Sequence, residues 1–413
     1  MLQVKGLKEE QKRDMRAFSF VHAADLHLGY AQYSLDVRRK DFNNVFGELV
    51  DKTIELAPDF MILAGDIFEH ARPANSTLEA AIQNLRKLKD NGIPVLAVDG
   101  SHDSAPNTVT STILNPLDSA GLIWYLPRHE GACWKNENCY VYGIPNFRTA
   151  RKTQEELPIF LEQNKPAPDP SLFNILVFHM ALDIPAVKPP RMEAEAGLDS
   201  LPEGFNYYAG GHIHKPYMTR FRGGILTYSG GTETASYDEA EVKKGFYHVK
   251  VSKRGVAKVD RVNLETPRKF LVLERTYTGL TPSKITEAAV QLVKENDVPD
   301  AILVPVICGV LPAETGRGEI DLAQIRSAAK KALLVHPVLR LRETEISEEI
   351  IRSIFSGDIR DMKTKVFEYF FEIFSANYKR EESEKIARLA IDLIAPLKEK
   401  QETKVKEKLE ALL

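Results

Sequence analysis

The chain has 413 residues whose charges nearly cancel, with 55 Lys and Arg against 58 Asp and Glu and a net charge of −3. That length predicts two or three domains, and the balance excludes a chain that grips nucleic acid through bulk positive charge, so attraction for phosphate has to come from a local patch or a bound cation. No run approaches the ~18 consecutive apolar residues of a membrane helix, and three cysteines without a second metal-spaced pair (Cys133, Cys139 and Cys308) fit structural thiols in a reducing compartment.

In chain order, residues 1–17 carry Lys5, Lys8, Glu9, Glu10, Lys12, Arg13 and Asp14 without the apolar core of a signal peptide. They predict a charged extension on a cytoplasmic protein. The apolar run 18–24 ends in Asp25-Leu26-His27-Leu28-Gly29. Phe42, Val45, Phe46, Leu49 and Val50 then recur at helical spacing. Residues 60–64 read as a strand buried on both faces. Gly65 lets the backbone turn, and Asp66 emerges at the carboxyl end, where open α/β sheets place their ligands. A helical stretch over 76–88 precedes the run 94–98, which leads into Asp99-Gly100-Ser101-His102-Asp103. The run 175–178 ends at His179, and 207–211 ends at His212-Ile213-His214. Strands alternating with helices predict a layered α/β domain, and the strand-rich stretch 143–251 predicts mixed sheets.

An Asp at one strand end is ordinary turn chemistry. Five runs that each deliver Asp or His, with five of the ten histidines among them, call for a common cause. Asp and His without Cys suit borderline divalent cations such as Mn²⁺, Fe²⁺ or Zn²⁺. The His-x-His spacing puts both rings on one side of an extended segment. A carboxylate between two such clusters can bridge ions ~3.5–4 Å apart, the arrangement that stabilises attacking and leaving oxygens in phosphoester hydrolysis.

From about Pro267 the composition changes. A strand over 270–273 is followed by a helix capped by Thr281 with Pro282 at its first position and Ile285, Ala289, Leu292 and Val293 on one face. A strand over 301–310 leads to a helix begun by Asp321 and Gln324 and carrying Leu322, Ile325, Ala329, Ala332 and Leu333. A third strand is expected over 338–342. Beyond Thr344 the chain reads as helical and charged, with aromatic stripes (Val366, Tyr369, Phe370 and Ile373; Phe367, Phe371 and Phe374) that suit docking on a partner's coiled coil.

Taken in order, Asp25-x-His27, Gly65-Asp66, Gly100-Ser101-His102-Asp103, His179 and Gly211-His212-x-His214 form a pattern that resembles the signature of the calcineurin-like metallophosphoesterases. Within that superfamily residues 24–30, 201–205, 211–215, 228–231 and 244–247 are similar to the SbcD-type nuclease of double-strand-break repair. The resemblance implies a layered β-sandwich phosphoesterase domain flanked by helices over 18–265, a small α/β capping domain over 266–343 and a C-terminal helical partner-binding segment over 344–413. It implies two divalent cations, Mn²⁺ in working form. Asp25, His27 and His214 would hold one, His179 and His212 the other, and Asp66 would bridge them. His102 would contact the scissile phosphate or protonate the leaving alkoxide, with Asp103 orienting its ring. The implied activity is 3′→5′ exonuclease on duplex DNA and endonuclease on single strands. The implied partners are DNA, an SMC-like coiled-coil ATPase and a second copy of the chain, joined through helices near 76–88 and 107–121.

The chain departs from that pattern at two positions. Ser101 stands where the family has a metal-ligating Asn, and its shorter hydroxyl predicts a bridging water and a weaker second site. Glu69 stands where relatives carry a substrate-facing His, so either His70 takes over that contact or it is lost. Lys215 and Arg220 are the expected phosphate-backbone contacts, and His22 is expected to be a core histidine. Two other readings stay open: a small-substrate phosphoesterase, and a DNA-binding scaffold with catalysis weakened at Ser101 and Glu69.

Overall fold

Side chains along the apolar runs alternate between two cores. In β1 (Phe18–Ala23) and β2 (Phe60–Ala64), Phe18, Phe20, Phe60, Ile62 and Ala64 enter one core, while Val21, Ala23, Met61 and Leu63 enter another, as the two-residue period of a strand requires. The computed structural model describes residues 16–104, 111–188, 192–255, 257–312, 315–343, 367–368, 370–371 and 379–398. Nearly all of the expected charged extension lies outside the described residues, as do Asn107, Val366, Tyr369, Ile373 and Phe374.

The further strands are β3 (Val95–Val98), β4 (Trp124–Tyr125), β5 (Cys133–Lys135), β6 (Cys139–Gly143), β7 (Phe173–His179), β8 (Tyr207–Gly211), β9 (Tyr217–Phe221), β10 (Gly224–Tyr228), β11 (Gly245–Val251) and β12 (Ala257–Asn263). They form two six-stranded mixed sheets, ordered β12-β11-β1-β2-β3-β4 and β5-β6-β7-β8-β10-β9. β1 to β4 are parallel, as are β6, β7, β8 and β10, and antiparallel strands finish the edges at β11, β12, β5 and β9. Between the sheets, Phe20, Phe60 and Leu96 meet Val141, Phe173, Ile175 and Ala209. Helices α1 (Asp36–Leu56) and α2 (Asn75–Asp90) cover the outer face of the first sheet with Val45, Phe46, Leu49, Ala81, Leu85 and Leu88. Leu114 and Leu117 of the short α3 (Leu114–Ser119) join the same core. Leu157 of α4 (Ala150–Gln163) packs on the outer face of the second sheet against a core containing Tyr142, Leu176 and Phe178. The strands that end in the predicted site residues, β1, β2 and β3 in one sheet and β7 and β8 in the other, run parallel within their sheet, and both sheets are mixed, as expected.

By contacts the chain divides into two compact units: residues to Val272 with Asp297–Val304 and Ala329–His336, and Leu273–Asn296 with Pro305–Ala328 and the residues from Pro337 onward. The strand expected over 270–273 is β13 (Phe270–Thr276). In the second unit α5 (Pro282–Glu295) packs beside α6 (Leu322–Arg326). There Val306–Leu311 of β14 (Ile302–Leu311) pair in parallel with β16 (Val338–Glu343). Thr281 occupies the N-cap of α5 without a side-chain bond, whereas the Asp321 carboxylate accepts the Gln324 N–H at 2.9 Å. The helix predicted to reach Leu333 stops at Arg326. In the first unit the Asp297 carboxylate accepts the backbone N–H groups of Lys330, Lys331 and Ala332, which takes them out of helical pairing, and Leu334–Val335 forms a short strand, β15, on Ile302 and Leu303. A last helix, α7, spans Arg380–Lys398, within the stretch expected to be helical.

His22 is a core histidine, as expected: it is fully buried between the sheets with Nδ1 3.0 Å from the Tyr207 hydroxyl. Burial, with Arg261 nearby, pushes its pKa from 6.5 down to about 3. The unfolded chain therefore binds a proton that the fold refuses, so this contribution to stability is whole above pH 6.5 and is lost as the pH falls toward 3. In urea unfolding, the stability of the wild type relative to His22→Leu is expected to fall by up to about 1.4 kcal/mol per pH unit below 6.5. A difference unchanged between pH 7 and pH 5 would refute a neutral His22.

Candidate metal centre

The loops that follow β1, β2, β3, β7 and β8 meet at one end of the paired sheets. They are laced by their backbones: the N–H of Asp25 bonds the Gly65 carbonyl at 3.1 Å, those of Leu26 and His27 bond the Asp66 carbonyl at 2.9 and 3.0 Å, and that of Leu28 bonds Ile67 at 2.9 Å. Asp25, His27, Asp66 and His212 all have positive φ, at 56°, 47°, 48° and 88°. Such conformations cost on the order of 1–3 kcal/mol each and persist only where the surroundings over-determine them. Here the lacing does so.

Two groups of side chains result. Potential ligand atoms of Asp25, His27 and His214 lie within 4.8 Å of one another, and so do those of Asp66, His179 and His212. Asp66 stands between the groups, with Oδ2 3.1 Å from His179 Nε2 and 4.0 Å from His27 Nε2. Its Oδ1 accepts the His102 N–H at 2.9 Å. The Asp25 carboxylate accepts the His212 N–H at 2.9 and 3.2 Å, so the acid of the first group is aimed by a residue of the second. Burial works to raise the Asp66 carboxyl, but His179, His27 and His102 outweigh it and hold it well below the usual carboxylate range. Burial likewise opposes charge on His179, yet Asp66 and Asp25 raise its pKa to about 10.

The outer nitrogens show which inner ones face the centre. His27 Nδ1–H donates to Glu69 Oε2 at 2.8 Å, His214 Nδ1–H to Glu239 Oε1 at 2.7 Å and His179 Nδ1–H to the Ala64 carbonyl at 2.8 Å. A neutral ring held in this way turns an Nε2 lone pair inward. His27 Nε2 and His214 Nε2 are only 3.1 Å apart, and buried His179 Nε2 has no aligned hydrogen-bond partner. Lone pairs so placed repel unless a cation or a shared proton lies between them. An imidazole and carboxylate donor set without thiolate fits divalent cations of the Mn²⁺, Fe²⁺ and Zn²⁺ type.

The loop after β3 brings His102 to the same mouth, half exposed, its Nδ1–H donating to the Glu69 carbonyl at 2.9 Å. Asp103 does not orient that ring, contrary to expectation. It is fully buried, and its carboxylate accepts the N–H groups of Phe68, Gly100 and Ile67 at 2.8, 2.9 and 3.2 Å, which pins the loop from below. Burial and the nearby Asp66 push the Asp103 carboxyl up to about 7 despite these bonds. Ser101 is half-buried, and its hydroxyl has no hydrogen-bond partner among the described residues. Glu69 turns toward His27 rather than outward. His70 is exposed and lines a cleft of about 210 Å³ with Tyr30, Arg39 and Glu69. Lys215 and Arg220 are exposed, the latter on the edge strand β9.

Sequence reasoning missed three residues here. Glu239 holds His214 while its other oxygen takes Lys244 Nζ at 2.6 Å. Glu195 sits with Oε2 3.8 Å from His212 Nε2, and Asn146 Nδ2 donates to the His179 carbonyl at 2.9 Å. Glu239 and Glu195 end no apolar run, and Asn146, which follows the run 139–145, is neither Asp nor His, so the pattern that exposed the other residues had nothing to say of them.

A family profile described as calcineurin-like phosphoesterase matches residues 18–216. The chain belongs to the calcineurin-like phosphoesterases, a family of metal-dependent enzymes. Among its relatives, the DNA double-strand break repair protein Mre11 of Methanococcus maripaludis is 30% identical over 292 residues, 68% of this chain and 76% of that one. That of Archaeoglobus fulgidus is 32% identical over 238 residues, 54% of this chain and about half (52%) of the relative. Among solved structures, a dimetal phosphatase from Danio rerio matches 60% of this chain and 99% of its own at 11% identity and a TM-score of 0.36. No helix among the described residues is long and apolar enough to cross a membrane.

The loops close on one another through glycine. A Cβ at Gly100 would collide with Asp66 Oδ1 and with the Asp66 backbone nitrogen, neither of which is the free end of a flexible chain. Gly100→Ala is expected to shift Asp66 and to lower divalent-cation affinity by roughly 10–100-fold in calorimetric titration. Wild-type affinity in that variant would show that Asp66 is not held by this contact.

Proposed function

We propose that the chain is a DNA nuclease working on a pair of Mn²⁺ ions in double-strand-break repair. The observation that carries this reading is Asp66 Oδ2 standing between the His27 and His179 imidazoles, each in its own group of ligand atoms. The names of the relatives supply DNA as the substrate. Asp25, His27 and His214 would hold one ion, His179 and His212 the other, with Asp66 shared and Ser101 reaching the second only through water. Bound there, the cations would neutralise a phosphodiester and activate the attacking water.

The protein's own groups do the rest. With Nδ1–H committed to the Glu69 carbonyl, His102 takes up and releases its proton at Nε2, on a ring half open to solvent. That nitrogen would contact the scissile phosphate or protonate the leaving oxygen. Asp103 serves this ring indirectly, by fixing the loop. His70, Lys215 and Arg220 are proposed backbone-phosphate contacts. Residues 18–265 would form the nuclease domain, 266–343 a cap and 344–413 the segment that docks on an SMC-like coiled-coil ATPase. The proposed activity is 3′→5′ on duplex ends and endonucleolytic on single strands, in a homodimer formed near α2 and α3.

With Mn²⁺, 3′-labelled duplex is expected to release its label as mononucleotide, and His102→Ala is expected to slow this ~10²–10⁴-fold with Mn²⁺ binding retained. Hydrolysis of bis-p-nitrophenyl phosphate with no attack on duplex or single-stranded DNA would point to a small substrate instead. Ser101→Asn is expected to raise the nuclease rate modestly. A jump from near zero would mark the natural chain as a scaffold.

A further inference from the structure

We propose that Glu69 and Glu239 are positioning residues that grade the two cation sites, making the one formed by Asp25, His27 and His214 the tighter. The inference rests on the two-cation reading above and assigns residues to a difference within it. Both imidazoles of that site are backed by carboxylates, at 2.8 Å for Glu69 and 2.7 Å for Glu239. Both acids are largely shielded, with side chains 12% and 16% exposed. Glu239 is held from its far side by Lys244 at 2.6 Å, so neither the acid nor the ring it bonds is free to swing.

The other site is backed differently. His179 leans on the neutral carbonyl of Ala64 at 2.8 Å. His212 has Glu195 no nearer than 3.8 Å, and that carboxylate is committed to the Ala181 N–H at 2.7 Å. A carboxylate on the outer nitrogen fixes ring orientation and increases the basicity of the inner one, and losing such a partner typically costs 10–100-fold in metal affinity. A carbonyl fixes orientation but adds no charge. One site therefore carries two anionic supports that its neighbour lacks.

Glu69 also holds His102 through its main-chain carbonyl. Its side chain thus serves a ligand while its backbone serves the proposed acid. His27, Glu69 and His102 have ligand atoms within 4.8 Å of one another, but a Glu69 oxygen that accepts from His27 Nδ1–H acts here as an acceptor and not as a ligand.

The test is a Mn²⁺ titration of the full-length, metal-stripped protein, read by the electron-paramagnetic signal of free Mn²⁺ and by calorimetry, without substrate. Two ions of unequal affinity are expected, and His212→Ala should abolish the weaker, which assigns them. Glu239→Gln and Glu69→Gln, each keeping an acceptor of the same size, should each weaken the tighter ion about 10–100-fold and leave the weaker one in place. Glu239→Ala should weaken it further. Two ions of equal affinity, or a tighter ion indifferent to both Gln variants, would overturn the grading and leave the two-cation centre standing. Fewer than two ions in the wild type would overturn both. A third ion lost in Glu69→Gln would make that residue a ligand and overturn its assigned role.

Discussion

The carboxylate of Asp66 is the contact on which the rest of this site depends. One oxygen takes the backbone N–H of His102, and the other lies against His179 with His27 opposite. Three loops from three strands are thereby referred to a single side chain. Its own position is fixed by Gly100 pressed against it and by the hydrogen bonds of Leu26 and His27 to its carbonyl. A charge buried this deeply is tolerable because imidazoles surround it, and they are tolerable because it is there.

Holding four non-glycine residues at positive φ in one small region requires a stiff frame. The two mixed sheets provide it, since β2, β7 and β8 are buried at every residue and cannot relax without opening the core between the layers. A second buried lattice steadies the segment that carries Glu239. Arg38, fully buried, bonds Gln32 at 2.9 Å, Asp41 at 2.7 Å and the Thr234 carbonyl at 3.0 Å, with Glu233 at 3.3 Å. Arg268 returns to the same Asp41 and, through its N–H, to Glu233. Removing one member would strand a buried charge, a loss on the order of 3–5 kcal/mol.

The arrangement also reconciles a nearly neutral chain with an anionic class of substrate. Phosphate affinity need not be spread over the surface when imidazoles and carboxylates at one mouth can concentrate cations there. The outer partners of the histidines then matter as much as the ligands. Glu69, Glu239 and Ala64 decide which nitrogen of each ring faces inward.

Asp25, His27, Asp66, His102, His179, His212 and His214 could be picked out from the linear chain because each ends an apolar run, and strand period and parallel topology carry such ends to one edge. The same periodicities showed the layered α/β architecture and the mixed sheets. What they could not show depends on partners distant in the chain. Asp103 was expected to orient His102 on the strength of the family resemblance, yet its carboxylate is claimed by backbone donors of Phe68, Gly100 and Ile67. Glu69 was read only as the residue standing where relatives carry a substrate-facing His, while folding turns it onto His27, 42 residues away. Asp297 ended α6 early by drawing off the N–H groups of Lys330, Lys331 and Ala332. Local pattern reports which face a residue lies on, because that follows from backbone geometry one or two residues either side. Which acid meets which ring is settled by loop closure across tens to hundreds of residues, and no local period records it.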